Sequence, residues 1–359
     1  MDRPAASAFG FCLDRHQRRS VLTGQSTEPV NLPPDMPPLL MVIVDSEESF
    51  DWSAPLARAN TRVTSMTEQA AAHEIFAKYG VIPTYVIDYP VATTESSATT
   101  LAQYLKAGVC EIGAHLHPWV NPPDDEGVSP FNSYPGNLPA GLEREKIEVL
   151  TTAIEQNLGI RPRLYKAGRY GVGPNTAQIL EETGYDIDLS VVAHTSFAAD
   201  GGPDFSSFKA APYWFGAKRK LLEVPLTCGF AGIFAAMGPR LFPSLAGSFG
   251  MGLRLPGIAA RTGLLERVRL TPEGIDHHAH RRLIDSLLAE GQKVFTMAYH
   301  SPSLEPGNTP YVRDRADLKA FLETMNHTLD YFVNEVGGQA TTPRALIQLL
   351  RPHSEQENI

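Results

Sequence analysis

Four carboxylates in one short stretch are the first residues of this chain whose types and spacing could do chemistry. Directly after the apolar run 39–44 stand, within seven residues, Asp45, Glu47, Glu48 and Asp51. Carboxylates in such a cluster can take protons from water or bind a divalent metal ion. A solvated acidic loop is the alternative that this stretch alone leaves open.

Two histidines, His115 and His117, form the second candidate group, in the segment AHLHPW. Residues two apart on an extended chain point the same way, so both imidazoles could reach one ion. With a carboxylate from another strand they give a ligand set that suits zinc or a similar divalent ion with an open position. A packed or surface pair is the alternative for two histidines at this spacing.

The elements that must position these residues are short buried strands. Residues 39–44 are too few for a helix and follow Pro37 and Pro38, which is typical of a strand buried on both faces. Six further strands are predicted, at 83–87, 109–113, 164–167, 187–192, 221–225 and 294–299. Because helical patterns alternate with the strands, we expect a parallel sheet with right-handed crossovers.

Polar residues stand at or near the ends of five of the seven predicted strands: Asp45, His115, Lys166, Asp188 and His300. In parallel α/β folds the groups that do chemistry emerge at this edge of the sheet. An open sheet concentrates them at one switch point, whereas a barrel gathers them from the whole ring. Five contributing strands therefore favour a barrel. The chain has no GxGxxG or GxxxxGK[ST] pattern, so a nucleotide is not expected.

Composition shifts divide the chain into three parts. The polar, aperiodic residues 1–36 predict a flexible N-terminal arm, residues 37–340 the barrel domain, and residues 341–359 a C-terminal tail. Within the domain, 122–139 is rich in Pro, Gly and Asp and predicts a long loop of the kind that is often functional. Residues 229–263, rich in Gly and Pro, predict an excursion from the core.

A helix is predicted from Thr271, an N-cap followed by Pro272 at the first helical position, to Glu290. Its segment DHHAHRR places His277 and His280 on one helix face, where they could bind a metal. No carboxylates from other strands accompany them. The pattern therefore predicts a solvated helix face instead.

Charge and composition limit the partners. A net charge of −9 without a long Lys/Arg tract argues against binding to nucleic acid or to an anionic membrane. No apolar stretch approaches the length of a membrane span, and the first residues lack a signal pattern, so a cytoplasmic protein is expected. Three cysteines without CxxC spacing, Cys12, Cys110 and Cys228, fit a reducing compartment and give no thiolate metal site.

Four segments in this order, VDSEESFDW, EIGAHLHPW, YKAGRYG and AYHSPSLEPG, resemble the motifs of the polysaccharide deacetylase (NodB-homology) family. The closest likeness is to its branch of WalW-like proteins, over residues 39–338. The resemblance implies an α/β fold of the distorted (β/α)7 barrel type, a divalent metal ion and hydrolysis of N-acetyl groups on sugars. Zinc is the expected ion.

The resemblance also implies roles for the first two motifs. Asp45 matches the family's catalytic base, and Glu47 is the expected acidic metal ligand, with Glu48 as the alternative. The family's second motif has two histidines four residues apart. His115 matches the first of them, whereas Trp119 stands in place of the second. His117 is therefore expected to replace that ligand from a different position.

The later motifs supply the remaining expectations. The third begins with an arginine that orients the base; Lys166 stands there and lacks the bidentate grip of an arginine, so Arg169 is expected to take over. Asp188 resembles an aspartate that orients a charged partner, and His300 matches the general acid. Two aromatic residues are expected to contact substrate, Trp119 and Tyr170; a place in the core is the alternative for Trp119.

The predicted function is removal of an N-acetyl or similar acyl group from a carbohydrate or cell-surface glycan precursor. Two alternatives stay open. The first is a catalytically degenerate relative that binds a glycan or a partner without turnover, which the changed second motif and Lys166 would suit. The second is a metal-dependent hydrolase of a non-sugar C–N bond, which a pocket too narrow for a sugar ring would favour.

Overall fold

Seven parallel strands form the barrel, in the chain order that the sequence predicts. The computed structural model describes residues 27–217, 221–247, 250 and 252–351. The strands are β1 (Leu39–Ser46), β2 (Thr84–Ile87), β3 (Glu111–Leu116), β4 (Leu164–Ala167), β5 (Ile187–Asp188), β6 (Leu221–Glu223) and β7 (Val294–His300). They pair in the order β7-β1-β2-β3-β4-β5-β6, all parallel. The predicted (β/α)7 type of fold is confirmed.

Helices connect the strands and cover the outer face of the sheet. They are α1 (Ala70–Tyr79), α2 (Tyr89–Thr93), α3 (Glu95–Ala107), α4 (Ala140–Leu158), α5 (Thr176–Thr183), α6 (Gly238–Leu245), α7 (Leu255–Arg261), α8 (His277–Ala289), α9 (Arg315–Asp330) and α10 (Pro343–Leu350). None of the described helices is long and apolar enough to cross a bilayer. Three short strands extend the sheet: Glu28–Pro29, Tyr213–Phe215 and Gln339–Ala340.

Side chains alternate between an inner and an outer layer along each strand. The odd-numbered apolar residues of β1 pack inside the barrel, and the even-numbered ones face the helices. Leu164 of β4 and Val294 of β7 belong to the same inner layer. Asp45, Lys166 and His300 lie an even number of residues further along these strands. Their side chains therefore continue the inner layer and meet above the apolar core.

The barrel is distorted because, within the described residues, β6 and β7 do not pair with each other. Thr227 bridges the gap: its N–H donates to the Thr296 carbonyl at 3.2 Å, and its Oγ1 accepts the Thr296 N–H at 2.8 Å. Leu270 in turn donates its N–H to the Thr227 carbonyl at 2.8 Å. Thr227 and Leu270 stand at the base of an antiparallel ribbon, Cys228–Ala231 with Glu266–Arg269. This ribbon carries the predicted excursion.

Residues beyond both predicted boundaries pack on the floor of the barrel. Residues 1–26 lie outside the described part of the chain, but 27–36 do not form the expected flexible arm. Three of their apolar side chains join the inner cluster: Val30, Leu32 and Met36. At the other end Leu346 and Ile347 of α10, within the expected tail, are buried in the same cluster. The folded domain is longer than predicted because these apolar residues close its floor.

Helix α8 begins at His277, six residues after the predicted start at Thr271. Asp276 is the N-cap, and its Oδ1 accepts the N–H of Ala279 at 2.8 Å. Gly274 has φ = 73°, a left-handed conformation that interrupts any helix begun upstream. The N-cap pattern at Thr271 was therefore misleading.

His280 is fully buried rather than part of a solvated helix face, which corrects that expectation. Its Nε2 donates to the Thr271 carbonyl at 2.9 Å, and its Nδ1 lies 2.8 Å from Thr328 Oγ1 on α9. Burial lowers the pKa of His280 to about 4.

Acid should therefore destabilise the protein through His280. The unfolded chain protonates this histidine near pH 6.5 and the native state only near pH 4, so stability is lost as the pH falls through this window. At about 1.4 kcal/mol per pKa unit, the loss between pH 7 and 5 is about 2 kcal/mol. We expect His280→Gln to lack this part of the pH dependence of urea unfolding. The exposed neighbour, changed as His278→Gln, is the control, and an unaltered pH profile in His280→Gln would contradict the assignment.

Candidate active site

Asp45 and Lys166 form a buried ion pair at the carboxyl ends of β1 and β4. The Lys166 Nζ lies 2.5 Å from each carboxylate oxygen of Asp45. Both side chains are buried. The ammonium group lies between the two oxygens and contacts both. Lys166 therefore makes a two-point contact with the carboxylate, although the sequence analysis expected it to lack the bidentate contact of an arginine.

His300, at the end of β7, faces this pair with Nε2 3.9 Å from Asp45 Oδ2. Glu273 holds the imidazole: its Oε2 lies 2.8 Å from Nδ1, and its Oε1 accepts the backbone N–H of His300 at 3.0 Å. Although burial opposes a charged imidazole, the neighbouring carboxylates, Glu273 foremost, raise the pKa of His300 to about 10. His300 is therefore protonated at neutral pH, with its Nε2–H on the side of Asp45.

Three further side chains converge beside the Asp45–Lys166 ion pair and are called here the donor set: Glu47, His115 and His117. Glu47 Oε2 lies 3.8 Å from His115 Nε2 and 3.5 Å from His117 Nε2. One ligand atom from each residue lies within 4.8 Å of the others. All three side chains are buried. The structure thus brings together the residues that the sequence selected as metal ligands.

Hydrogen bonds on the far side of each imidazole determine which nitrogen is available. His115 Nδ1 lies 3.1 Å from the Lys166 carbonyl, which can only accept, so Nδ1 carries the proton and Nε2 keeps its lone pair. His117 Nδ1 lies 2.8 Å from Glu48 Oε2 and donates to it when Glu48 is ionised. Carboxylates orient metal-binding histidines in this way. Both Nε2 lone pairs then face Glu47.

Glu48 supports His117, and both of its oxygens accept hydrogen bonds, although its position beside Asp88 and His117 would also allow a second metal group. Its second oxygen, Oε1, accepts the indole N–H of Trp119 at 2.7 Å, and its backbone N–H donates to Asp88 Oδ2 at 2.8 Å. The Trp119 ring also stacks on His117, with ring centroids 4.3 Å apart. At the position where the resemblance leads one to expect a second histidine, tryptophan instead positions the replacement ligand. This geometry favours Glu47 over Glu48.

A divalent ion fits the donor set. Within the described residues Glu47 Oε1 is buried without a hydrogen-bond partner, and burial raises the pKa of Glu47 to about 7. A buried carboxylate oxygen without a partner is unfavourable unless a cation or a donor satisfies it. Two imidazoles and one carboxylate are also a common ligand set of catalytic zinc. The identity of the ion stays a prediction.

Asp45, His300 and the donor set line one cleft of about 630 Å³. Seven aromatic side chains line it: Phe50, Trp52, Trp119, Tyr134, Tyr170, Phe197 and Tyr311. The predicted long loop, 122–139, contributes one side of this wall. Tyr170 lies against Lys166, with Nζ 5.1 Å from the ring centroid, and Trp119 is almost completely buried behind His117. Their contact with substrate stays a prediction.

Arg169 does not hold the base, which corrects the expected role. Its backbone is left-handed, with φ = 51°, and its side chain turns to the outer part of the cleft. There it donates to Ser133 Oγ at 2.6 Å and packs over the ring of Tyr134. Of the two basic residues of this motif, Lys166 is the one that contacts Asp45.

Asp188 also lies away from the site. It alternates with Ile187, which points into the barrel, so the carboxylate faces the helix layer. There it accepts from Ser190 Oγ at 2.5 Å and lies beside Glu223. Burial raises the pKa of Asp188 to about 6. The charged partner expected for Asp188 is therefore absent from its described surroundings.

Sequence reasoning missed two carboxylates of the site. Glu273 lies within a segment predicted as helix, far along the chain from the residues it joins, so no local pattern indicated its contact with His300. Asp88 directly follows β2 and is the N-cap of α2, where its Oδ1 accepts the N–H of Val91 at 2.7 Å. A carboxylate at the end of a predicted strand was the available signal. Arg269 on the ribbon, also missed, lines the cleft.

Gly168 gives room to His117, and alanine there should damage the site. A Cβ at this position would lie 2.5 Å from Cδ2 of His117 and closer still to the Leu116 carbonyl oxygen. We expect Gly168→Ala to displace the imidazole, to destabilise the fold by about 1–3 kcal/mol and to weaken zinc binding. Urea unfolding and zinc titration measure the two effects. Gly127→Ala, whose Cβ would meet open space, is the matched control; equal behaviour of the two variants would contradict the prediction.

Comparisons with known proteins show a shared fold. No protein-family model and no curated protein matches the sequence. Among solved structures, Puue allantoinase matches with a TM-score of 0.51 and 17% identity, over 91% of this chain and 95% of its own. At this identity the likeness shows the fold alone.

Two further matching structures are deacetylases by name. One is assigned as a polysaccharide deacetylase from Mycobacterium smegmatis, with a TM-score of 0.45 and 16% identity over 90% of this chain and 96% of its own. The other is the peptidoglycan deacetylase PdaC from Bacillus subtilis, with a TM-score of 0.42 and 11% identity over 89% and 93%. The matching structures therefore include deacetylases by name, as the resemblance leads one to expect, and the WalW-like branch stays a prediction.

Proposed function

We propose that this chain is a metal-dependent hydrolase that removes an N-acetyl or similar acyl group from a carbohydrate or cell-surface glycan precursor. One observation carries the proposal. Asp45 and His300 face each other across 3.9 Å, directly beside the donor set. A base, an acid and a cation site on one cleft floor are the groups that amide hydrolysis needs.

The roles of the two residues follow from their partners. Asp45, held by Lys166, takes a proton from a water molecule as the water oxygen bonds to the acyl carbon. The Nε2–H of His300 protonates the amine nitrogen as the C–N bond breaks, because an unprotonated amine anion is a poor leaving group. Glu273 keeps the imidazole charged and oriented until that step. The products are a carboxylic acid and a free amine.

The donor set would hold the cofactor. A divalent ion bound there would supply Lewis-acid polarisation of the acyl oxygen and would make a nearby water more acidic. Glu47, His115 and His117 would be its ligands, and Glu48 would keep His117 in place. Zinc is the ion we expect for two imidazoles and a carboxylate.

The volume and lining of the cleft support a sugar substrate. A volume of about 630 Å³ accommodates a sugar ring. The ring of Trp52 lies nearly perpendicular to that of His300, with centroids 5.2 Å apart, and stacks on Phe50 at 5.4 Å. Flat aromatic faces beside the acid would pack against the apolar faces of a sugar ring.

Acetate release from a panel of N-acetylated sugar oligomers and peptidoglycan fragments tests the proposal. The zinc-loaded wild type and the exposed control Asp51→Asn should release acetate, and Asp45→Asn should be slower by about 10²–10⁴-fold. Saturable glycan binding without release by the zinc-loaded wild type would support the degenerate alternative. Turnover of non-sugar N-acyl compounds alone would support the second alternative.

A further inference from the structure

The segment between the two ribbon strands, residues 232–264, differs from the rest of the chain in charge and is called here the arginine lobe. The whole chain has 31 Lys and Arg residues and 40 Asp and Glu residues. The lobe contains three of the basic residues and none of the acidic ones. Its basic residues are Arg240, Arg254 and Arg261. All three are exposed, and within the described residues none makes a side-chain ion pair or hydrogen bond. The lobe is therefore a cationic surface on an acidic protein.

The arginine lobe is also unusually apolar at its surface. Thirteen large hydrophobic side chains are exposed in the described part of the chain, and six of them belong to this short segment: Ile233, Phe234, Met237, Leu253, Ile258 and Leu264. Ile233 is the most exposed of all, at 77%. Single exposed apolar residues are ordinary, but a concentration of this kind marks an interaction surface.

Backbone hydrogen bonds bring part of this apolar set together. Ile233 donates its N–H to the Gly263 carbonyl at 3.1 Å, and Phe234 donates to the Leu264 carbonyl at 2.9 Å. The backbone of these two residues therefore lies next to that of Gly263 and Leu264 at the outer end of the ribbon. A small core where the lobe meets the ribbon buries other apolar residues, Phe230, Ala235, Ala259 and Leu265, and leaves Ile233, Phe234 and Leu264 exposed.

Cationic and apolar side chains share the outer surface of the lobe. On α7, Ile258 and Arg261 are three residues apart and therefore lie on the same helix face. Arg254 is the N-cap of the same helix and follows the exposed Leu253. Exposed apolar residues with neighbouring arginines and no carboxylate are typical of segments that lie in a membrane interface.

We propose that the arginine lobe docks this protein on an anionic phospholipid surface. Ile233, Phe234 and Leu264 enter the headgroup region, and the arginines contact lipid phosphates. A second copy of the chain fits less well, because a symmetric contact would place the arginines of two lobes against each other. The sequence argument against an anionic membrane used the net charge of the whole chain, which is negative. It does not apply to the lobe, whose own charge is positive.

Vesicle flotation with the full-length protein tests the proposal. We expect the wild type to float with phosphatidylcholine–phosphatidylglycerol vesicles, to float less at high salt, and to remain unbound with phosphatidylcholine alone. Two variants should each reduce the bound fraction at least tenfold. One is Ile233→Ser with Phe234→Ser, and the other replaces all three arginines by glutamine. Exposed apolar residues outside the lobe, changed as Ile82→Ser with Leu349→Ser, are the matched control.

Unfolding curves of all variants establish that each is folded before binding is compared. Three results would overturn the proposal: no flotation of the wild type with anionic vesicles, equal flotation of the lobe variants and the control, or equal binding to both kinds of vesicle. Light scattering adds a fourth, since a dimer that disappears in the Ile233→Ser and Phe234→Ser variant would make the lobe a contact between copies. None of these results depends on acetate release.

Discussion

Zinc affinity should fall by more than about 100-fold when the imidazole of His115 is removed, a larger loss than outer-shell changes produce. The wild type, purified without a histidine tag, should bind about one zinc ion per chain. His115→Ala leaves Glu47 and His117 as the only protein donors, one fewer than catalytic zinc sites normally have. His117→Ala should behave alike, because its Nε2 faces the same Glu47 oxygen. Elemental analysis and competitive zinc titration measure both variants.

Two glutamine variants separate ligand from support within the acidic motif. Glu47→Gln should lose zinc as severely as His115→Ala, since a neutral amide replaces the charged ligand. Glu48→Gln should lose about 10–100-fold, because this carboxylate only orients His117. His278→Ala removes an exposed histidine and is the control. The opposite order of the two glutamine variants would assign the ligand to Glu48, and a wild type that takes up no zinc after reconstitution would leave the proposed hydrolase without its ion.

Lys166→Met should destabilise the fold by about 3–5 kcal/mol, the usual effect of removing one partner from a buried ion pair. The carboxylate of Asp45 would stay buried without the ammonium group that contacts both its oxygens. His300, at 3.9 Å, offsets only part of that charge. Methionine resembles lysine in length, so lost packing contributes little. Urea unfolding at neutral pH measures the effect.

The double variant Asp45→Asn with Lys166→Met tests whether charge is the cause. Because no unpaired carboxylate remains, the double variant should be more stable than Lys166→Met alone, and the cycle of single and double variants gives the coupling. Lys166→Arg keeps the charge and should be affected less than Lys166→Met. If the double variant were as unstable as the sum of the two single ones, the charge interaction would not be the cause.

Four of the site residues could be predicted because they continue apolar strands. Asp45, His115, Lys166 and His300 each stand at the carboxyl end of a buried strand, and parallel strands bring these ends to one edge. Asp188 satisfied the same rule and failed, since it lies one residue off the inner layer of β5. A two-residue strand gives too short an alternation for its faces to be recognised from sequence.

Other parts of the site depend on contacts that no local pattern encodes. Glu273 reaches His300 only because Gly274 and Asp276 delay the start of α8 and leave the segment before it as turns. Arg169 was expected to take over from Lys166, but a left-handed backbone turned it away from Asp45. The arginine lobe was recognised only as an excursion, because its Gly- and Pro-rich sequence hides two short helices and its charge is small against the whole chain.

The seam between β6 and β7 makes the barrel mechanically uneven. Elsewhere neighbouring strands share a backbone ladder, whereas here a few bonds around Thr227, one of them to a side-chain hydroxyl, join the two edges. Local opening follows the line of fewest hydrogen bonds. One side of that line carries His300 and the other leads to the lobe, so local opening there would change the width of the cleft at His300. The donor set stands at the ends of β1 and β3, which backbone ladders join through β2.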